Sequence, residues 1–130
     1  MTETGFKIVT FKEFRKLGLS KLDPKPKVVF VNRRRAFKPP EDVLRRYSEF
    51  MRRYLGRKPA QQKEFALRGS SYDGRYRQKL LNNKEPMKAM RILSGLSRKG
   101  LVYMVTDKDR PDAEIIVSIC TQMIGGGIWK

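Results

Sequence analysis

Apolar and polar residues alternate from Gly5 to Val9, the two-residue period of a short strand. Thr10 follows, with Glu13 three residues later, the spacing of a reciprocal N-terminal cap. That spacing predicts a short helix to about Leu17, stopped by Gly18. Asp23-Pro24-Lys25-Pro26 reads as a linker, because its prolines exclude a helix. Lys27 to Asn32 is a short, β-branched apolar run, expected as the central strand of a sheet. Three arginines, Arg33, Arg34 and Arg35, follow it at once.

The period then changes. Val43, Leu44, Tyr47, Phe50, Met51, Tyr54 and Leu55 recur at three- and four-residue spacing, which predicts a helix over Glu41–Leu55 with one apolar face. Pro40 suits its first turn, and Glu41 and Asp42 suit its positive N-terminal end. Shorter helices are expected over Pro59–Leu67 and Tyr72–Leu81, separated by a Gly69-Ser70-Ser71 loop. A further helix spans Pro86–Lys99, with Met87, Met90, Leu93 and Leu96, together with Ile92, facing inward. Lys99-Gly100 stops it. Leu101–Thr106 is a second buried strand, and residues 107–111 form a polar loop.

Asp112 to Ile124 favours a strand by its Ile-Ile-Val-Ser-Ile composition and a buried helix by its length. Helix is taken, with Asp112 or Asp109 as its cap and Pro111 near its start. Gly125-Gly126-Gly127 ends it and opens a flexible tail from about residue 125, in which Trp129 docks, dangles or meets a partner. Strands alternating with helices predict an α/β fold, a single small domain over residues 1–130. Its sheet is mainly parallel, with three strands legible and a fourth allowed for, and is flanked by helices.

Composition narrows what such a domain does. Apolar residues make up 39%, gathered in periodic runs, as in a folded chain. No apolar run reaches the 18 or so residues a membrane helix needs, and the acidic N-terminus does not read as a secretion signal. One cysteine excludes an internal disulfide, and the absence of histidine argues against structural zinc. A cytoplasmic setting is expected, with no membrane partner and no cofactor.

Charge changes the picture most. Thirty basic against thirteen acidic residues give +17, an excess that points to a polyanion. Residues 25–58 carry twelve basic and three acidic side chains, and residues 61–100 ten and three. Residues 101–130 are near neutral, as a core segment would be. The expected partner is nucleic acid, RNA or DNA, in a ribosome-associated or nucleoprotein setting.

Two sites are expected. The first is a basic face of Arg45, Arg46, Arg52, Arg53, Arg57 and Lys58, broken only by Glu49, with Arg33, Arg34, Arg35, Lys38, Arg75, Tyr76 and Arg77 contributing. Tyr47, Tyr54, Tyr72 and Tyr76 are candidates for stacking on bases. No base-reading motif is present, so non-specific phosphate contact is expected. The second is a cleft at the strand ends, where open α/β sheets bind ligands. Asn32, Arg33, Asp107, Lys108 and Asp109 would meet there if the two strands are neighbours, or the carboxylates would simply pair with nearby arginines.

Catalysis has little to stand on. The commonest acid-base side chain is missing, and Asp107 and Asp109 beside a lysine and an arginine make a poor metal set. Cys120 lies in an apolar run and reads as packing rather than nucleophile. The glycine triplet lacks the Lys-Ser/Thr of a phosphate loop.

Three stretches, "VVFVNR", "YDGRYRQKL" and "LSRKGLVYMVTDKD", together spanning roughly residues 27–118, resemble the DUF488 family of small α/β proteins. The resemblance implies a ligand or enzymatic site at the strand ends, with Arg75, Tyr76 and Arg77 near it. Asn32 stands where the family carries Asp, Arg35-Ala36-Phe37-Lys38 replaces its Trp-Pro-Arg-Gly, and the Cys-His-Arg signature of longer members is absent. An amide in place of an acid suits that strand end to holding an anion rather than moving a proton.

Overall fold

The computed structural model describes residues 4–18, 27–107 and 110–125. Three strands form one parallel sheet: β1 (Gly5–Thr10), β2 (Lys27–Phe30) and β3 (Leu101–Thr106), in the order β1-β3-β2. Gly5 pairs with Leu101 and Thr10 with Thr106, while Lys27 pairs with Val102 and Phe30 with Val105. The α/β class and the parallel sheet are as expected, and among the described residues there is no fourth strand. The central strand is β3, not β2. Val102, Met104 and Val105 are fully buried, as a parallel strand covered on both faces requires, whereas Lys27 is exposed at the sheet edge.

The chain divides into two compact units. The first holds the sheet and is built from the chain up to Lys38 and from Lys84 onward. Its helices are α1 (Phe11–Leu17), α5 (Lys84–Lys99) and α6 (Asp112–Ile124). Thr10 caps α1 as its spacing predicts: Thr10 N–H donates to Glu13 Oε1 at 3.0 Å, and Glu13 N–H donates to Thr10 Oγ1 at 3.2 Å. Gly18 closes α1 in the left-handed region at φ 58°. Phe11 stacks on Phe30 and Phe14 meets its edge, so α1 covers the sheet face that carries Val9, Tyr103 and Val105.

Alternation puts Val102 and Met104 on the opposite face, against which α5 and α6 pack. Right-handed crossovers account for this division. The chain order takes β1 past β3 to β2 and then back to β3, so right-handed crossovers put α1 and α5 on opposite faces.

The second unit, Pro39–Asn83, is wholly helical: α2 (Glu41–Arg53), α3 (Pro59–Ser70) and α4 (Tyr72–Asn82). Tyr47 packs on Tyr72 with ring centroids 5.0 Å apart, and Tyr72 on Tyr76 at 5.7 Å. Val43, Ala66 and Leu80 complete this core. Helix α2 ends at Arg53, before Leu55, whose side chain is 70% exposed and lies off the expected apolar face.

Glycine 69 does not open a loop, because α3 continues through it to Ser70. A Cβ at Gly69 would lie 2.3 Å from Phe50 Cε1, so the glycine lets the two helices approach. Ser71, in the left-handed region at φ 58°, makes the break between α3 and α4.

Candidate functional site

The strand-end cleft comes out as a clasp. Strand β2 stops at Phe30 rather than Asn32, and the chain winds through two single 3₁₀ turns, Val31–Arg33 and Arg35–Phe37. Winding early turns the Asn32 amide toward the end of β3. Its Oδ1 accepts from Asp107 N–H at 2.8 Å and from Thr106 Oγ1 at 3.1 Å, and its Nδ2 donates to Asp112 Oδ2 at 3.0 Å. Asp112 is fully buried, and Arg110 donates to the same oxygen at 2.6 Å. These contacts tie the carboxyl ends of β2 and β3 to the start of α6.

The carboxylate that pairs with an arginine in this loop is therefore Asp112, which was expected as a helix cap. Pro111 takes the cap position with no side-chain hydrogen bond. Asp107 is exposed, while Lys108 and Asp109 lie outside the described residues, as do Gly126, Gly127 and Trp129. Among the described residues, no three His, Cys, Asp or Glu side chains gather as a metal set. The Cys120 thiol is buried with α6, and burial pushes it up to about 11, so it stays protonated at neutral pH.

The three consecutive arginines separate. Arg33 lies over the rings of Phe11 and Phe30, at 5.1 and 5.6 Å. Arg34 and Lys27 both line an apolar groove, while Arg35 and Lys38 are exposed.

The helical unit gathers the α2 arginines. Arg45, Arg46 and Arg53 line an open hollow of about 450 Å³ with Arg75 from α4, Phe50, Asp42 and Glu49. Arg46 and Arg53 sit seven residues apart, two helical turns or about 10 Å, on one side of α2. Both lie beside the Phe50 ring, Arg53 at 4.5 Å and Arg46 at 5.9 Å from its centroid. The ring restricts the guanidinium groups without neutralising them.

Next along the chain, Arg57 lies 5.2 Å from Phe65 and 5.6 Å from Tyr54. Among the described residues, Arg45, Arg46, Arg52, Arg53 and Arg57 have no carboxylate at ion-pair distance. Lys58 is exposed ahead of α3.

Several expected contributors have other roles. Tyr76 has 0% exposure, and Tyr72 and Tyr47 are buried too, so none of these rings presents a face to a base. Buried tyrosines instead form the core that orients α2. Arg77 pairs with Asp73 at 2.6 Å. Arg75 reaches Asp42 at 3.5 Å, within the same unit, which places it with the α2 arginines. Asp42 thus joins Glu49 as an acidic member of the face.

What sequence reasoning missed is Phe50 as a platform and Gly69 as its support. The available signal was an aromatic with arginines four residues before it and three after, the spacing that makes helical neighbours. No family model matches this chain, and no match is found among curated proteins or solved structures. No helix of the described residues is long and apolar enough to cross a membrane.

Proposed function

We propose that this protein binds nucleic acid, RNA or DNA, through phosphate contacts made by the arginine-lined hollow of its helical unit, without catalysis of its own. One observation carries this reading. Four arginines face a shared open hollow, two of them held beside an aromatic ring, and only Arg75 has a described ion pair there. A guanidinium matches phosphate with paired donors, and its own charge is retained for the ligand. Asp42 and Glu49 keep the site net positive by two charges rather than four. They favour a ligand that lays phosphates beside the arginines and keeps clear of the carboxylates. Recognition is non-specific in base sequence, because contacts to phosphate carry no sequence information. A cytoplasmic nucleoprotein or ribosome-bound setting goes with this reading.

The test is fluorescence anisotropy with labelled single-stranded and duplex oligonucleotides between 50 and 200 mM salt. Affinity is expected to fall linearly on a log–log plot, and Arg46→Ala/Arg53→Ala to reduce the slope by about two. A flat salt response, or an unchanged slope in that variant, overturns the proposal. So does displacement of the oligonucleotide by an acidic peptide whose own affinity is higher.

A further inference from the structure

We propose that the groove beside β2 in the sheet-bearing unit binds a small amphipathic carboxylate, an apolar body with one anionic head. This site does not depend on the nucleic-acid reading. The groove encloses about 240 Å³. Val29 and Phe37 line it from β2 and the second 3₁₀ turn, and Ala89, Ile92, Leu93 and Leu96 line it from α5.

The groove exists for three reasons. Strand β2 is at the sheet edge, so no described strand continues over it. Positions 89, 92, 93 and 96 form one helical stripe, and the small Ala89 fills little of the space beside it. Ile92, expected to face inward, is instead 55% exposed. Val29, Phe37 and Leu93 are buried and make a floor, while Ile92 stands partly in solvent at the wall.

Size and charge define the ligand. A 150 Å³ apolar cavity accommodates benzene, six non-hydrogen atoms, and the same filling here admits about ten. That is too little for a helix or a nucleotide chain. The apolar lining provides no hydrogen-bond pattern for a base, but it takes an alkyl chain or a substituted ring. Lys27 and Arg34 are exposed cations beside this lining, and neither has a carboxylate at ion-pair distance among the described residues. An anionic head placed between them gains charge-assisted hydrogen bonds while its tail leaves water. A neutral amphiphile of equal length gains only the second term.

The experiment titrates the full chain with octanoate, 1-octanol and acetate, following isoleucine, leucine and valine methyl resonances. Octanoate is expected to saturate and to shift the methyls of Ile92, Leu93 and Leu96. Octanol is expected to bind about tenfold more weakly through the same methyls, and acetate to leave them unmoved. Lys27→Gln/Arg34→Gln is expected to bring octanoate down to the level of octanol. Ile92→Glu, at a position exposed enough to keep the fold, is expected to abolish octanoate binding, whereas Ile92→Gln weakens both ligands. Arg46→Ala/Arg53→Ala leaves octanoate binding unchanged.

Equal affinity for octanoate and octanol overturns the proposal. So do saturation without shifts at the α5 methyls, binding that survives Ile92→Glu, and absence of saturation at millimolar ligand. Melting curves of each variant separate a lost site from a lost fold.

Discussion

The two units carry nearly the same charge per residue, yet their cations differ in kind. The helical unit holds eight arginines and three lysines against five acids, net +6 over 45 residues. The sheet-bearing unit holds seven arginines and twelve lysines against eight acids, net +11 over 85 residues. Charge density therefore does not mark the site. What marks it is how the cations are held.

In the helical unit, Arg46, Arg53 and Arg57 lie beside Phe50, Tyr54 and Phe65, with their charge unpaired by described carboxylates. In the sheet-bearing unit, Arg33 also lies over rings, those of Phe11 and Phe30, but Arg110 is committed to the buried carboxylate of Asp112. One arrangement keeps charge ready for a ligand, and the other uses it to close a fold.

The largest effect expected from breaking this contrast is at Asp112. Asp112→Ala removes the shared acceptor of Arg110 and Asn32 and leaves a partly buried guanidinium without that partner. The expected loss is about 3 kcal/mol of unfolding free energy, read from a urea melt. Oligonucleotide affinity of the folded variant is expected to stay at the parent value, because the arginine hollow lies wholly within the other unit. Loss of affinity without loss of stability would move the site to the strand ends.

Gly69→Ala attacks the other side of the contrast. Its Cβ would occupy the space of the Phe50 ring, which must move toward Arg53 or separate α2 from α3. We expect about 1–3 kcal/mol of destabilisation with weaker oligonucleotide binding. In a double-mutant cycle, adding Phe50→Leu is expected to recover stability but not binding. Recovery of both would show that the ring does not position the arginines.

These two residues also show what the sequence could and could not reveal. Local signals were legible: Thr10, Glu13 and Gly18 bracket α1 through contacts no more than a few residues long, and α6 follows from the length of its apolar run. Strand order was not legible. β2 and β3 are similar apolar runs, and only the path of the crossovers makes one of them an edge. Gly69 read as a chain breaker because its function is an approach between α2 and α3, invisible to any local window.

Tyr76 resembled a stacking ring until the packing of Tyr47 on Tyr72 enclosed it. The arginines of α2 were assigned to a basic face from their spacing, but Arg75 joins their hollow only through tertiary structure. Asn32 was placed at the right end of the sheet. Its amide, however, is engaged by Thr106, Asp107 and Asp112.

A smaller effect tests the local device at α1. Thr10→Ala is expected to cost about 1 kcal/mol, by loss of its hydrogen bond to Glu13 N–H. The Thr10 backbone N–H, and next its hydroxyl, hold the Glu13 carboxyl below its ordinary value of 4.5. The folded state therefore binds the proton less readily than the unfolded chain. The resulting stability is present above the unfolded value and disappears as pH falls through the folded one. The advantage of the parent over Glu13→Gln in paired melts is expected at neutral pH and to vanish in acid. An advantage that grew in acid would reverse the assigned sign.

The finest distinction is between charge and its placement at Arg53. Arg53→Lys keeps the positive charge and removes the planar group beside Phe50. The salt slope counts released counterions and is expected to remain that of the parent. Affinity at fixed salt is expected to fall about two- to fivefold, the worth of one exposed cation–π contact together with its paired donors. The same exchange at Lys58, in the sense Lys58→Arg, is expected to change neither quantity, because no aromatic contact is described for that side chain. If Arg53→Lys binds as well as the parent, the aromatic platform is packing alone, and the helical unit differs from the sheet-bearing one only in where its charge is exposed.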